Sequence, residues 1–206
     1  MKNEKQVFEL YVSNDKLRPV MNAPFIQNGC VCATNGHALI RVAKSETKEE
    51  YAHSAKPNCN AVFLKTKKEE VITFKRLEEL LAEVEQVEET KQVGKSIECE
   101  ECEGTGEVSW EYKRWTENDE CPVCDGSGYS SEVKHIPTGK MIPNPQEAIL
   151  LGDKTFRAGY VSVLAKTMEL MEIYSVVMKY NEKKPYEQAV FNFNINTDVL
   201  LMPYVR

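Results

Sequence analysis

Three things are scarce in this 206-residue chain: basic excess, long apolar runs and histidine. Lys and Arg number 26 against 32 Asp and Glu, a formal −6, so no chain-wide positive field is available to grip nucleic acid through its phosphates. Apolar runs such as Ala148 to Leu151 fall far short of the roughly 20 residues a membrane-spanning helix needs. The charged start, Met1-Lys-Asn-Glu-Lys-Gln, has no apolar stretch after it, so the expectation is a cytoplasmic chain without secretion signal or membrane partner. Of the three histidines, His37 follows an Asn-Gly turn, His53 sits in a polar stretch and His135 trails a cysteine-rich segment. None has a Ser or Cys partner with a carboxylate to orient it, and no Walker or Rossmann glycine pattern is present. The expectation is a protein that binds rather than catalyses.

What is present is an ordinary globular composition, 42% hydrophobic and 28% charged, and seven cysteines. In a reducing compartment clustered thiols read as metal ligands rather than disulfides. Cys30 and Cys32 share one strand face as small core residues, and Cys59 is a bystander. The other four fall in a repeat: Cys99-Glu-Glu-Cys102-Glu-Gly104-Thr-Gly106 returns as Cys121-Pro-Val-Cys124-Asp-Gly126-Ser-Gly128. Two C-x-x-C turns supply the four soft thiolates of a closed tetrahedral site, so one structural zinc is expected on Cys99, Cys102, Cys121 and Cys124. An iron–sulfur cluster, which takes the same ligands, is the alternative. Gly104, Gly106, Gly126 and Gly128 let the chain double back and aim N–H groups at the sulfurs. Four cysteines leave no open coordination position, so no catalysis is expected at the metal.

The doubled unit, about 98–130, resembles the cysteine-rich zinc modules of DnaJ-type co-chaperones. Those carry four copies for two ions; two copies here suffice for one. The His-Pro-Asp signature of the J-domain is absent, so only the metal chemistry carries over. Charge is concentrated here: residues 96–134 hold three Lys and Arg against eleven Asp and Glu, a formal −8. A polyanion is repelled by such a segment. Trp110, Tyr112 and Trp115 lie between the cysteine pairs and have two readings, cover for a small metal-held core or a partner surface.

On either side of this segment the pattern is mixed α and β. Gln6 to Val12 reads as a strand and the Leu17 to Met21 region as a short helix. Phe25 to Thr34 and Ala38 to Val42 read as strands hinged at Asn28-Gly29 and Asn35-Gly36. Residues 44–72 read as a polar loop with a short strand at Ala61-Val-Phe-Leu. Leu77, Leu80, Leu81, Val84 and Val87 then mark an amphipathic helix with an acidic outer face. After the cysteines come strands at Ala148 to Leu151 and Asp153 to Arg157, and a helix from about Tyr160 to Met171. Three strands ending in Val199 to Val205 complete the chain. The resulting division is 1–43 as a first half-domain, 44–95 as linker and inserted helix, 96–134 as the zinc module, and 135–206 as connector and second half-domain.

Asp15-Lys-Leu-Arg-Pro-Val followed by Ala33-Thr-Asn-Gly-His-Ala-Leu-Ile-Arg-Val resembles the helix-to-hairpin segment of bacterial DNA polymerase III β sliding clamps. Phe156-Arg-Ala-Gly-Tyr-Val-Ser-Val-Leu through the closing Val199-Leu-Leu-Met-Pro-Tyr-Val-Arg is similar to their last half-domain. The resemblance implies a single α+β clamp-like domain of two β-α-β-β(-β) halves, interrupted by the amphipathic helix and the zinc module. It also implies a replication-associated role with weak, non-specific duplex-DNA contact through Lys16, Arg18, Lys154, Arg157 and Lys166. A hydrophobic peptide groove would border the chain end at Met202 and Tyr204. The alternative function is an adaptor whose acidic zinc arm docks a protein partner.

Overall fold

The computed structural model describes residues 1–14, 18–63, 68–94, 97–131 and 134–204. In chain order its elements are α1 (Glu4–Glu9), β1 (Phe25–Gln27), β2 (Cys30–Thr34), β3 (Ala38–Ala43), β4 (Ala52–His53), β5 (Lys68–Thr73) and α2 (Phe74–Glu83). Then come β6 (Gln86–Val93), β7 (Ile97–Glu98), β8 (Glu107–Tyr112), β9 (Trp115–Glu120), β10 (Tyr129–Ser131) and β11 (Lys134–Pro143). The last are β12 (Ala148–Leu151), β13 (Lys154–Arg157), α3 (Ala158–Met171), β14 (Ser175–Tyr180), β15 (Ala189–Asn194) and β16 (Thr197–Leu201). They form two compact units, Met1–Gln86 with Pro143–Arg206, and Val87–Ile142.

The first unit is built on an eight-stranded sheet in the order β4-β1-β2-β3-β16-β15-β14-β5. Its centre pairs the chain's early and late parts, with Ala38 opposite Leu201 and Val42 opposite Thr197. The β1–β2 turn is Asn28-Gly29 with both residues at positive φ, 49° and 77°, the conformation that matches the right-handed twist of the flanking strands. At the next turn the Asn35 side chain accepts from the N–H groups of His37 and Ala38, which fixes the Asn-Gly corner.

Alternation along the strands sends residues to two different cores. Val31, Ala33, Ile40, Val42, Phe191, Val199 and Leu201 face the helices, where Val7, Phe8, Leu77, Val161, Leu164 and Met168 are buried against them. Cys32, Leu39, Val190 and Leu200 face the opposite side and pack with Phe25 and Cys59. Full burial of each large aliphatic side chain contributes about 1.5–3 kcal/mol, so the α3 stripe is a principal anchor of this unit.

Several expected elements come out differently. Gln6 to Val12 is not a strand: Glu4, Val7, Phe8 and Tyr11, spaced i, i+3, i+4, i+7, form the buried face around helix α1. The pattern is disguised because Glu4 is polar, and its burial is made possible by the N–H groups of Lys48 and Glu49 and the Tyr51 hydroxyl, all of which donate to its carboxylate. Of the expected helix at Leu17 to Met21, the described part is one 3-10 turn, Pro19–Met21. The element order also differs from the expected plan: α1 precedes β1, and the last part of the chain runs β12-β13-α3-β14-β15-β16.

Residues 44–95 are not a linker with an inserted helix. Of the apolar island, Ala61 and Val62 end a 3-10 turn, Cys59–Val62, and Leu64 lies outside the described residues, while the strand of this region is β5, which lies along β14 from Thr73 opposite Ser175 to Lys68 opposite Tyr180. Helix α2 starts at its Thr73 cap, whose hydroxyl accepts from the Arg76 N–H, and buries Leu77 in the main core. It stops at Glu83, short of the expected Val87, because the chain turns extended at Val84 and enters β6.

In the second unit β6 and β11 form a two-stranded ribbon, so this unit is longer at both ends than the expected 96–134 module. Beyond the ribbon, β7 pairs with β10 and β8 with β9 around the four cysteines.

Candidate metal centre and the groove at the chain end

The two cysteine turns are copies in space as well as in sequence. In each, the residue after the second cysteine takes a left-handed conformation, Glu103 at φ 50° and Asp125 at φ 48°. The hydroxyls of Thr105 and Ser127 donate to the carbonyls of Cys102 and Cys124 at 2.7 and 2.6 Å. The copies lock reciprocally: the Cys99 N–H donates to the Gly128 carbonyl and the Cys121 N–H to the Gly106 carbonyl, at 2.9 and 2.8 Å. Backbones approach so closely that a Cβ on Gly106 would lie 2.3 Å from the Gly126 carbonyl oxygen, and one on Gly128 2.5 Å from that of Gly104. Only glycine fits there. The repeat also includes one residue more than the sequence reading recognised, since Glu98 and Glu120 pack over Gly104 and Gly126.

This geometry gathers four buried sulfurs within 4.8 Å of one another. Cys99 Sγ lies 3.9 Å from Cys121 Sγ, and Cys102 Sγ 3.7 Å from Cys124 Sγ. Disulfide sulfurs are about 2 Å apart, so these are separate thiols. A tetrahedral ion with metal–sulfur bonds of about 2.3 Å places its sulfurs about 3.8 Å apart, which the observed spacings fit. The Gly106 and Gly128 N–H groups donate to Cys102 and Cys124 Sγ, both at 3.3 Å. Burial pushes the Cys121 thiol up to about 11. Burial acts the same way on Cys102, but the Gly106 N–H and the adjacent sulfurs outweigh it and bring that thiol down to about 7. The four-cysteine cluster is therefore able to hold one metal ion, and its only packed apolar neighbour among the described residues is Val108.

Trp110, Tyr112 and Trp115 do not cover the sulfurs. They stand on the β8–β9 hairpin at 59%, 70% and 79% exposure.

In the first unit two hollows, each of about 360 Å³, share Met202. One is apolar and bounded by Met21, Leu39, Cys59, Val62 and Leu200. The other is framed by His37, Arg157, Tyr160, Pro203 and Tyr204, with the His37 and Tyr160 rings stacked at 5.8 Å and the Arg157 guanidinium 4.9 Å from the Tyr204 ring centroid. The chain end is held in place by Met202 N–H donating to the His37 carbonyl and Tyr204 N–H to that of Thr155. Sequence reasoning named Met202 and Tyr204 but missed His37 and Tyr160, whose stacking joins residues far apart in the chain.

The expected DNA-contacting cations fare unequally. Lys154 is removed from the set: it is 1% exposed, and its ammonium donates to the Lys184 and Glu187 carbonyls. Burial lowers its pKa, against the pull of the Glu187 charge. Arg157 faces the groove and donates to Gln146. Lys166 is exposed but ion-paired with Glu169 at 2.7 Å, Arg18 is exposed beside the Asn35-Gly36 corner, and Lys16 lies outside the described residues.

No protein-family model matches this chain, and no curated protein does. Among solved structures its fold is that of bacterial DNA polymerase III β sliding clamps. The Bartonella birtlesii clamp, bound to griselimycin, aligns over 100% of this chain and 65% of its own, at 12% identity and a TM-score of 0.52. The Caulobacter crescentus β subunit aligns over 100% and 65% at 12% identity and a TM-score of 0.48. The Bacillus subtilis clamp aligns over 100% and 63% at 10% identity and 0.48. The chain thus spans just under two thirds of the length of the clamps it matches. No described helix is long and apolar enough to cross a membrane.

Proposed function

We propose that this chain is a non-catalytic, clamp-related scaffold of DNA replication that docks an extended protein segment beside Met202, and that its second unit is held by one structural zinc. The observation that carries this reading is the pair of hollows sharing Met202 on a clamp-like sheet, apolar on one side and aromatic with a cation on the other. Concave apolar surface with a few convergent polar groups is where proteins take ligands. The metal reading rests on four thiolates at single-ion spacing, too close together for a multi-iron cluster whose ligands bind separate irons. Duplex DNA remains a secondary partner, contacted weakly through Arg18 and Lys166 without reading sequence.

The test uses fluorescence anisotropy with peptides from the clamp-binding segments of replication proteins of the same cell. Micromolar binding that weakens at least tenfold in Met202→Lys, at unchanged metal content, is expected. Equal binding by the variant, or no binding by any peptide, overturns the groove reading.

A second reading has its own support. The exposure of Trp110, Tyr112 and Trp115 favours the second unit as a contact arm for a protein partner.

A further inference from the structure

In the β8–β9 register Trp110 faces Glu117, Tyr112 faces Trp115 and Val108 faces Asp119. Direct cross-strand partners and i, i+2 neighbours project to the same side. One face of the hairpin therefore carries Val108, three aromatic rings and two carboxylates. Its inner end is closed by Val108 against the cysteines. Outward from there the rings are open to solvent, and Glu117 and Asp119 are exposed beside them.

Exposed rings edged by carboxylates select a cation. Aromatic faces attract Lys and Arg head groups, Trp most strongly, and a neighbouring carboxylate completes the charge pairing. The hairpin already shows the first of these contacts within itself: Lys113 Nζ lies 5.2 Å from the Tyr112 ring centroid. The surrounding charge, −8 over residues 96–134, repels phosphate backbones and acidic surfaces and draws in basic ones.

We propose that this face binds a Lys/Arg-rich segment of a partner protein, with guanidinium or ammonium groups on Trp110 and Trp115 and paired to Glu117 and Asp119. The proposal rests on the reading of the second unit as a metal-held contact arm and gives its partner a chemistry.

Trp110 and Trp115 are the chain's only tryptophans, so its intrinsic indole fluorescence reports this face alone. The metal-loaded full chain is titrated with a nine-residue peptide of alternating Arg and Ser, and with matched Glu/Ser and Gln/Ser peptides. A saturable change with the Arg peptide only, weakening as salt rises, is expected. The Glu117→Gln, Asp119→Asn double variant keeps both fluorophores and should lose at least tenfold in affinity. Glu107→Gln, Glu111→Gln makes the same charge change on the hairpin's other face and should lose less than threefold. Equal losses in the two variants, a response to all three peptides, no response, or saturation by duplex DNA each overturn the proposal. Metal content is measured alongside: substoichiometric metal in the parent chain refutes the metal-held arm, whereas full metal with unresponsive tryptophans refutes only the cationic partner.

Discussion

At the residue scale, the four-cysteine site depends on atoms that are not there. Gly106 and Gly128 sit at φ 79° and 76°, each with the other copy's carbonyl oxygen where a Cβ would be. Gly106→Ala puts a methyl 2.3 Å from the Gly126 oxygen, and because that obstacle is backbone, relief requires the two cysteine turns to part. The N–H to Cys102 and the carbonyl that accepts from Cys121 belong to the same residue, so both contacts shift together. Gly106→Ala is expected to weaken metal binding at least tenfold in competition with a chromogenic chelator. Gly139, whose Cβ would meet nothing within 4 Å, is the control for left-handed strain without a clash, and alanine there should leave metal affinity nearly unchanged. Equal effects at the two positions would show that backbone strain alone, and not the close approach of the copies, restricts Gly106.

At the scale of elements, helix α1 is tied to the chain at residues 48–51 by one carboxylate. Burial works to raise the Glu4 pKa from its ordinary 4.5, but the Lys48 N–H, the Tyr51 hydroxyl and the Glu49 N–H together outweigh it and lower the value. A carboxyl held lower in the folded state stabilises the fold fully above the unfolded-state pKa, and that contribution fades as pH falls through the folded value. Glu4→Gln keeps the shape but removes the charge, and should cost about 1.5–3 kcal/mol at pH 7, the range for hydrogen bonds to a charged group. In urea melts the gap between parent and variant should begin to narrow as pH falls below the ordinary carboxyl value of about 4.5 and should close only below the lowered folded-state value, where both side chains are neutral. A gap independent of pH would mean that shape alone, not charge, holds this contact. The same residue explains why the sequence misleads here. Val7, Phe8 and Tyr11 fit a strand as well as a helix until Glu4 is counted as buried, and its partners lie more than forty residues away. Helix α3 and strands β14 and β15 were legible because their apolar periodicity is unbroken by such a residue, whereas the last strand, expected from Val199 to Val205, runs from Thr197 to Leu201. Strand β5 was not, because its pattern of alternating exposure makes sense only against β14, about a hundred residues on. The cysteine site was the most legible feature, since ligand spacing and turn glycines are local. Its aromatic hairpin was ambiguous because exposure is decided by what packs above, which spacing does not encode.

At the scale of the whole molecule, the structure distributes its spectroscopic reporters between the two units. All three described α-helices, α1, α2 and α3, lie in the first, whose core holds more than two dozen buried apolar residues. Both tryptophans lie in the second, whose buried cluster is the four cysteines. On the proposed reading, a unit with so little apolar burial draws its folding free energy from bonds to a metal held by the four cysteines, whose thiols must lose their protons to bind it, so acid acts in the same direction as chelation. Both indoles are already open to solvent, so stripping the ion with a chelator at pH 7 should lower the anisotropy of the tryptophan emission with little change in its wavelength, while the helical far-ultraviolet signal stays close to its starting value. Zinc returned in one equivalent should restore the anisotropy. On titration toward pH 4 the tryptophan change should come first, as the thiolates take up protons and release the metal, with the helices following only in stronger acid. If helix signal and tryptophan signal instead fall together in a single transition, the sheet-and-helix unit depends on the metal as well, and the division of folding energy between an apolar core and four sulfurs is wrong.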